Sequence, residues 1–281
     1  MVSEHADARL DQAAAAIARA EALLITAGAG LGVDSGLPDF RGDEGFWRAY
    51  PPFRSLGLSF VDLANPEWFD RDPTLAWGFY GHRLHLYRTT TPHAGFAILG
   101  RWAAARPRGG FVFTSNVDGQ FQKAGFDDER VAECHGSIHH LQCSIPCCDR
   151  IWDAVEVALE IDPTTFRARP PLPLCPACGC IARPNVLMFG DASWVPHRSH
   201  GQHARLTRWL EGTRGAALAI VELGAGTAVS TVRMTSERLA VALGAVLVRV
   251  NLREPQAPPA HIGIAAGALE ALSAIDRRLD P

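Results

Sequence analysis

The chain has 281 residues, 47% hydrophobic and 20% charged, with a formal net charge of -3; this is the balance of a globular protein with room for one large domain or a domain plus a smaller module. The weak acidity argues against bulk nucleic-acid binding, which needs a basic footprint, and no apolar run approaches the ~18 residues of a membrane span. The first twenty residues carry early acids and no apolar stretch of the signal-peptide kind, so the expected compartment is the cytoplasm.

Alanine-rich residues 6–21 predict a helix leading into the first strand. The segment 22–41, ALLITAGAGLGVDSGLPDFR, then organises the chain. Its apolar run from Ala22 to Ile25 breaks into Gly28, Gly30, Gly32 and Gly36, which reads as a buried parallel strand followed by a turn suited to cradling a phosphate. The spacing Gly28-x-Gly30-x-x-Val33 fails the usual GxGxxG dinucleotide fingerprint. Asp39 and Arg41 follow Pro38 in a segment without helical or strand period, where charged groups suggest contact with a ligand's polar parts. Residues 42–72, rich in aromatics and in Pro pairs, read as a helix-and-loop insert rather than a linker.

Trp77, Tyr80, Leu84 and Tyr87 recur at helical spacing over 74–89, and 92–105 predict another helix with Pro at its start. Phe111 to Thr114 form a strand ending in Ser115-Asn116-Val117-Asp118-Gly119. Residues 131–142 read as strand, turn at Gly136, and strand; 181–190 give a further strand and 202–211 a helix. The apolar run 217–223 ends in Gly224-Ala225-Gly226, a helix covers 230–243, 245–251 form the last clear strand, and 262–279 the closing helix. Strands alternating with helices, each strand ending in a polar or glycine turn, predict a doubly wound α/β sheet, which binds ligands beyond the carboxyl ends of its strands.

Six of the seven cysteines fall within 143–180. Cys143-x3-Cys147 and Cys175-x2-Cys178 are two close thiol pairs that can wrap one tetrahedral zinc, with Cys148 an alternative to Cys147. Four thiolates close the shell, so such a zinc holds structure together rather than performing chemistry. A nucleic-acid zinc ribbon is the alternative use, disfavoured by the few basic residues of the segment (Arg150, Arg167, Arg169). His135, beside Gly136, is a candidate general base, although one histidine alone reads equally well as packed core.

In family order along nearly the whole chain stand GAG and SGLPDFRG within 28–42, TSNVDG at 114–119, ECHGS at 133–137, the paired cysteines, RPNVLMFGD at 183–191, GAGT at 224–227 and VN at 250–251. Together they resemble the sirtuins, NAD-dependent protein deacylases. The resemblance implies a Rossmann-like doubly wound parallel sheet over about 6–41, 90–135 and 183–281, with a small module built from a helical insert (about 42–89) and a zinc-binding insert (about 136–182). NAD and an acyl-lysine protein or peptide would meet in the cleft between them, with no direct nucleic-acid or membrane partner.

Carried over by residue, the resemblance gives Gly28, Ala29, Gly30, Asp39, Phe40 and Arg41 to the cofactor loop and phosphates. Ser115 would be among the cofactor-binding residues, Asn116 would sit by the nicotinamide ribose and Asp118 by the carboxamide; Gly224, Gly226 and Thr227 would hold phosphate and ribose; Asn251 would hold the adenosine ribose and backbone near Gly267 the adenine. Phe189 and Gly190, with Asp191, would offer a strand edge to the peptide. In the implied chemistry the amide oxygen of acyl-lysine attacks the ribose C1′ as nicotinamide departs. Neutral His135 takes a proton from a ribose hydroxyl, and the acyl group ends on ADP-ribose. Asn116 and Asp118 support that step. Gly32, Ser115, Asp191 and the GAGT turn depart from the usual family pattern and are similar to an ADP-ribosylating branch. Mono-ADP-ribosyl transfer or NAD hydrolysis is therefore the alternative, and retention of His135 favours deacylation. Tyr80-x-x-Arg83, one helical turn apart, is like the pair in sirtuins that remove succinyl and malonyl groups, since an Arg fork and a phenol hydroxyl suit a carboxylate.

Overall fold

The computed structural model describes residues 2–279 except 40–45, 48, 49, 52, 53, 55 and 56, with side chains from residue 7 onward. Phe40 and Arg41 lie outside the described residues. In chain order come α1 (Val2–Arg19), β1 (Ala22–Ala27), a 3-10 segment (Ala29–Ser35), short helices at Phe60–Leu63 and Trp68–Arg71, α2 (Pro73–Thr89), α3 (Ala94–Ala104), β2 (Gly110–Thr114), a helical turn (Gln120–Lys123) and β3 (Val131–Glu133). Then follow β4 (Gly136–Cys143), β5 (Trp152–Asp153), β6 (Ala182–Val186), α4 (His197–Gly212), β7 (Leu218–Leu223), α5 (Thr231–Leu243), β8 (Val246–Val250), β9 (Ile262–Ile264) and α6 (Ala268–Leu279).

The main sheet is parallel with order β3-β2-β1-β7-β8-β9. The chain builds outward from β1 through β2 to β3, then crosses back and builds the other way from β7. The switch point of this doubly wound sheet therefore lies between β1 and β7, where such folds open a ligand crevice. All six residues of β1 are buried, as a central strand covered on both faces requires. Their alternation divides the core: Leu23, Ile25 and Ala27 face one helical layer, with α1, α3 and α6, while Ala22 and Leu24 face the other, with Leu206 of α4 and Val232 of α5. No helix among the described residues is long and apolar enough to cross a membrane.

A second, antiparallel sheet of order β5-β4-β6 grows directly out of the main one. β4 starts two residues after Cys134, whose backbone N–H still donates to Thr114 O in the main sheet. The sharp redirection is made by Gly136, at φ +78°, where a Cβ would lie 2.1 Å from Asn185 O. α2 packs beside this sheet in a separate aromatic core with Trp77, Phe79 and Tyr80 fully buried.

Three expectations shift. β6 pairs with β4, so the boundary drawn at 183 falls inside a strand of the small sheet. The expected closing helix over 262–279 is split: Ile262–Ile264 form β9 on the sheet edge, and the helix begins only at Ala268. The strand is three residues long and contains Gly263, whose missing Cβ admits Pro255 O, so no period was visible in the sequence. Pro92 precedes α3 rather than opening it; the N-cap is His93, whose Nδ1 accepts from Gly95 N.

Candidate active site

The carboxyl ends of β1, β2, β3, β7 and β8 all point to one edge of the sheet. They bring together Gly28–Gly30, Ser115–Asp118, Cys134–Gly136, Gly224–Thr227 and Asn251.

At the switch point the two glycine loops interlock. Gly28 N donates to Leu223 O at 3.0 Å and Gly30 N to Gly224 O at 3.1 Å. A Cβ on Gly30 would stand 2.8 Å from Gly224 Cα, and one on Gly224, at φ +62°, would stand 2.3 Å from Leu31 N. The first duty of these glycines is thus to let one backbone lie against the other, and only the loops' outer rims, with Ala29 and Thr227 exposed, face solvent at the crevice.

Around this pair the expected residues divide by how far the protein already engages them. Ser115 N donates to Ala27 O, and Asn116 Nδ2 donates to Gly28 O at 3.1 Å, tying the β2 turn to the first glycine loop. Thr114 supports it, its hydroxyl donating to Ala27 O and accepting from Asn116 N. Asn251 is buried and engaged at both ends of its amide: Nδ2 donates one hydrogen bond to Ala225 O at 2.8 Å and Oδ1 accepts from Arg253 N and Glu254 N. Thr227 is held by Glu254, which accepts from both its hydroxyl and its backbone N–H. Gly267 lies 3.7 Å, measured from its would-be Cβ, from the Asp34 carboxylate. Asp39 is half-buried.

Two residues that the sequence did not single out brace the first loop. Asp34 Oδ2 accepts from Leu269 N at 2.8 Å at the start of α6. His93 Nε2 donates to Leu31 O while its Nδ1 accepts from Gly95 N, which fixes the ring's orientation. A short polar side chain spaced from a distant helix start leaves no sequence signal.

Asp118 and His135 stand on neighbouring strand ends. Asp118 is buried, its carboxylate accepting from Gln120 N at 2.9 Å. Burial, with the Glu133 charge adding, pushes its carboxyl up to about 6. His135 is half-buried, and burial lowers its imidazole below its ordinary value, so the ring is neutral at pH 7. Its backbone O accepts from Leu187 N at 2.9 Å.

The segment after β6 therefore runs beside His135. Leu187 and Phe189 are exposed, but Phe189 N already donates to Ala64 O at 2.8 Å and Met188 N to Asp191 Oδ2. A peptide adding here would meet Gly190, the Phe189 ring and backbone carbonyls rather than a row of open amides. Asp191 is structural: its side chain and that of Arg183 are fully buried and joined at 2.8 Å, and Ser193 N also donates to it.

On α2, Tyr80 and Arg83 face the aromatic core one turn apart, both buried. The Arg83 guanidinium lies 5.2 to 5.8 Å from the ring centres of Phe60, Phe79, Tyr80 and Tyr87. It donates from Nε and Nη2 to Tyr87 Oη at 3.0 and 2.9 Å. Tyr80 Oη is buried with no hydrogen-bond partner among the described residues, and burial pushes its phenol up to about 12. A buried, protonated hydroxyl without a partner beside a guanidinium suits an incoming carboxylate.

The thiols of Cys143, Cys147, Cys175 and Cys178 all lie within 4.8 Å of one another, with 3.7 Å between Cys143 and Cys178 and between Cys147 and Cys175. A tetrahedron with Zn–S near 2.3 Å has edges of about 3.8 Å, so the four fit zinc. Cys148 is 3.7 Å from Cys147 but outside the cluster. Cys143 ends β4, the strand whose start adjoins His135, so the cluster clamps the far end of the β4–β6 pair, away from the strand-end crevice.

The Sir2 family profile matches residues 28–207. An NAD-dependent protein deacylase of Thermus thermophilus is 32% identical over 270 residues, covering 94% of this chain and 93% of that one. A mitochondrial NAD-dependent protein deacylase of Danio rerio, sirtuin-5, is 33% identical over 189 residues, covering 62% and 58%. A solved Sir2 homologue in complex with ADP-ribose superposes with a TM-score of 0.69 at 25% identity, covering 96% of each chain. With its switch-point glycine loops, its strand-end histidine and its four-cysteine clamp, the chain belongs to the Sir2 family.

Proposed function

We infer that this chain is an NAD-dependent protein lysine deacylase, and the observation that carries the reading is a neutral His135 on the strand end next to Asn116 and Asp118. NAD, when bound, supplies an electrophilic ribose carbon with nicotinamide as its leaving group. The chain's own part is to hold, orient and move a proton. The interlocked loops at Gly28–Gly30 and Gly224–Gly226 form the floor over which the phosphates would lie. Asn116, already fixed to Gly28 O, would orient the ribose, and Asp118 would accept from the carboxamide N–H. His135, neutral because burial disfavours its charge, is ready at Nδ1 or Nε2 to take a ribose hydroxyl proton. Cys143, Cys147, Cys175 and Cys178 would hold one zinc that fixes the β4–β6 pair and takes no part in the reaction.

The substrate reading extends to acidic acyl groups such as succinyl and malonyl. Support comes from the Tyr80 hydroxyl left without a partner and from Tyr87, which orients Arg83 through two hydrogen bonds. The test is incubation with NAD and acetyl-, succinyl- and malonyl-lysine peptides, followed by mass spectrometry. Acyl-ADP-ribose and free lysine peptide are expected in equal amounts. ADP-ribose appearing on protein without acyl transfer would instead establish mono-ADP-ribosyl transfer, and free ADP-ribose alone would establish NAD hydrolysis.

A further inference from the structure

A further cavity, of about 720 Å3, opens between the end of α2, the turn after β2, β4 and α4, with Asp118 and Gly119 in its wall and none of the glycine-loop residues. Four elements converge on it. The end of α2 brings Arg88, the helical turn after β2 brings Lys123, β4 brings His139 and His140, and α4 brings Arg198 and Arg205. None has a part in the chemistry proposed above.

The arginine and lysine cations are unequally balanced, while burial lowers the His139 and His140 imidazoles and leaves both rings neutral at pH 7. Arg198 pairs with Glu133 at 2.6 Å and Arg205 with Glu129 at 3.2 Å. Arg88 and Lys123 meet no carboxylate among the described residues. Arg88 donates to the backbone oxygens of Ala154 and Val157, and Lys123 to those of Arg88 and Thr90, each at 2.6 Å. Neutral carbonyl groups steer both cations but leave their charge uncompensated.

α4 adds to the same field. Its N-cap is Pro196, no side chain caps it, and its first turn contains no acid. Its first-turn residues His197 and Arg198 both line the cavity. His140 Nδ1 and Arg198 Nη1 are buried without hydrogen-bond partners. Asp118 and Asp128 also reach the wall, but the Asp118 carboxylate is already engaged by Gln120 N.

We propose that this cavity binds a small organic anion carrying two or more phosphate or carboxylate groups. Its volume is that of a metabolite-sized pocket rather than of a single ion. The site is connected to the strand-end crevice through His139. His139 Nε2 donates to Asp118 O at 2.9 Å, and its ring lies so close to Gly119 that a Cβ there would meet it at 2.7 Å. An anion that orders His139 also biases the turn carrying Asn116 and Asp118, and by linkage a ligand on that turn alters anion affinity by the same factor.

The experiment is isothermal titration of the zinc-loaded chain with pyrophosphate and with citrate, at fixed ionic strength and saturating ADP-ribose so that the strand-end crevice is filled. Saturable binding of at least one anion is expected; pyrophosphate alone assigns the site to phosphates and citrate alone to carboxylates. Gly201→Glu carries a carboxylate into the wall at a position where a Cβ meets nothing within 4 Å, and is expected to weaken binding at least tenfold with a thermal midpoint no lower than the parent's, since it removes a glycine from a helix interior. Gly201→Ala is expected to bind within twofold of the parent, and Lys123→Gln several-fold more weakly. Absence of saturable binding by the parent chain, or binding that survives Gly201→Glu, overturns the proposal.

Discussion

Replacing Asp118 by Asn is expected to make the protein more stable and less active. The carboxylate is buried, and its folded pKa is raised from 3.8 to about 6. A raised acid pKa means that the folded state holds the proton more tightly than the unfolded chain. The destabilisation is therefore absent below pH 3.8, grows through the window from 3.8 to 6, and is complete above it. At about 1.36 kcal/mol per pKa unit, the carboxylate costs roughly 3 kcal/mol at pH 8 and about half of that at pH 5. Asn keeps the oxygen that accepts from Gln120 N, so the hydrogen bond survives while the charge goes. Urea unfolding of the two zinc-loaded proteins at pH 8 and pH 5 measures the difference. The Asn variant should be the more stable at pH 8, by an amount that falls to about half at pH 5. Deacylation should fall, because Asn presents an amide where a full carboxylate would accept from the nicotinamide carboxamide. An Asn variant no more stable than the parent at pH 8, or a gain that ignores pH, would refute the reasoning.

Arg83→Met removes a buried charge while keeping an aliphatic stem; kcat/KM on succinyl-lysine should fall on the order of a hundredfold, from about 3 kcal/mol of lost charge-assisted bonding, with acetyl-lysine turnover little changed, and an equal fall on both would sink the acidic-acyl reading. His135→Ala should lose turnover while retaining NAD affinity by calorimetry; in the parent, the lowered His135 pKa sets the acid limb of the kcat/KM profile below pH 6.5. Cys147→Ser should release zinc to a colorimetric chelator far faster than Cys148→Ser, since only the first thiol lies in the four-membered cluster. Gly224→Ala must separate backbones that its Cβ would meet at 2.3 Å, and a loss of several kcal/mol by urea unfolding is expected; unchanged stability would show that the two loops do not bear on each other.

The parts of this molecule that could be read from its sequence are those whose physics is local. An apolar run ending in glycines announced β1 and β7, helical spacing announced α2, and two thiol pairs announced the cluster. What stayed hidden depends on residues far apart in the chain. Glu222 and Arg249 interrupt two apolar strands, and only the register of β7 with β8 joins them as a buried pair. Asn251, expected at the adenosine, has a second task that the sequence did not show, tying Ala225 to the loop after β8. The choice of Cys147 over Cys148 depends on which thiol turns inward, something spacing leaves open. Asp191, read from the sequence as a departure from a family motif, also anchors Arg183 in the core, which the sequence did not show.

The pairing of β4 with β6 ties together the fate of two distant points. One end of this ribbon ends at Cys143 in the thiol cluster, and the other begins next to His135, whose carbonyl holds Leu187 across the strands. An atom of zinc that never approaches the substrate would then act as a tensioner, since slack introduced at its end travels along a ribbon one strand long to the histidine. Stripping the metal would then cost turnover by displacing His135, with no substitution anywhere in the crevice.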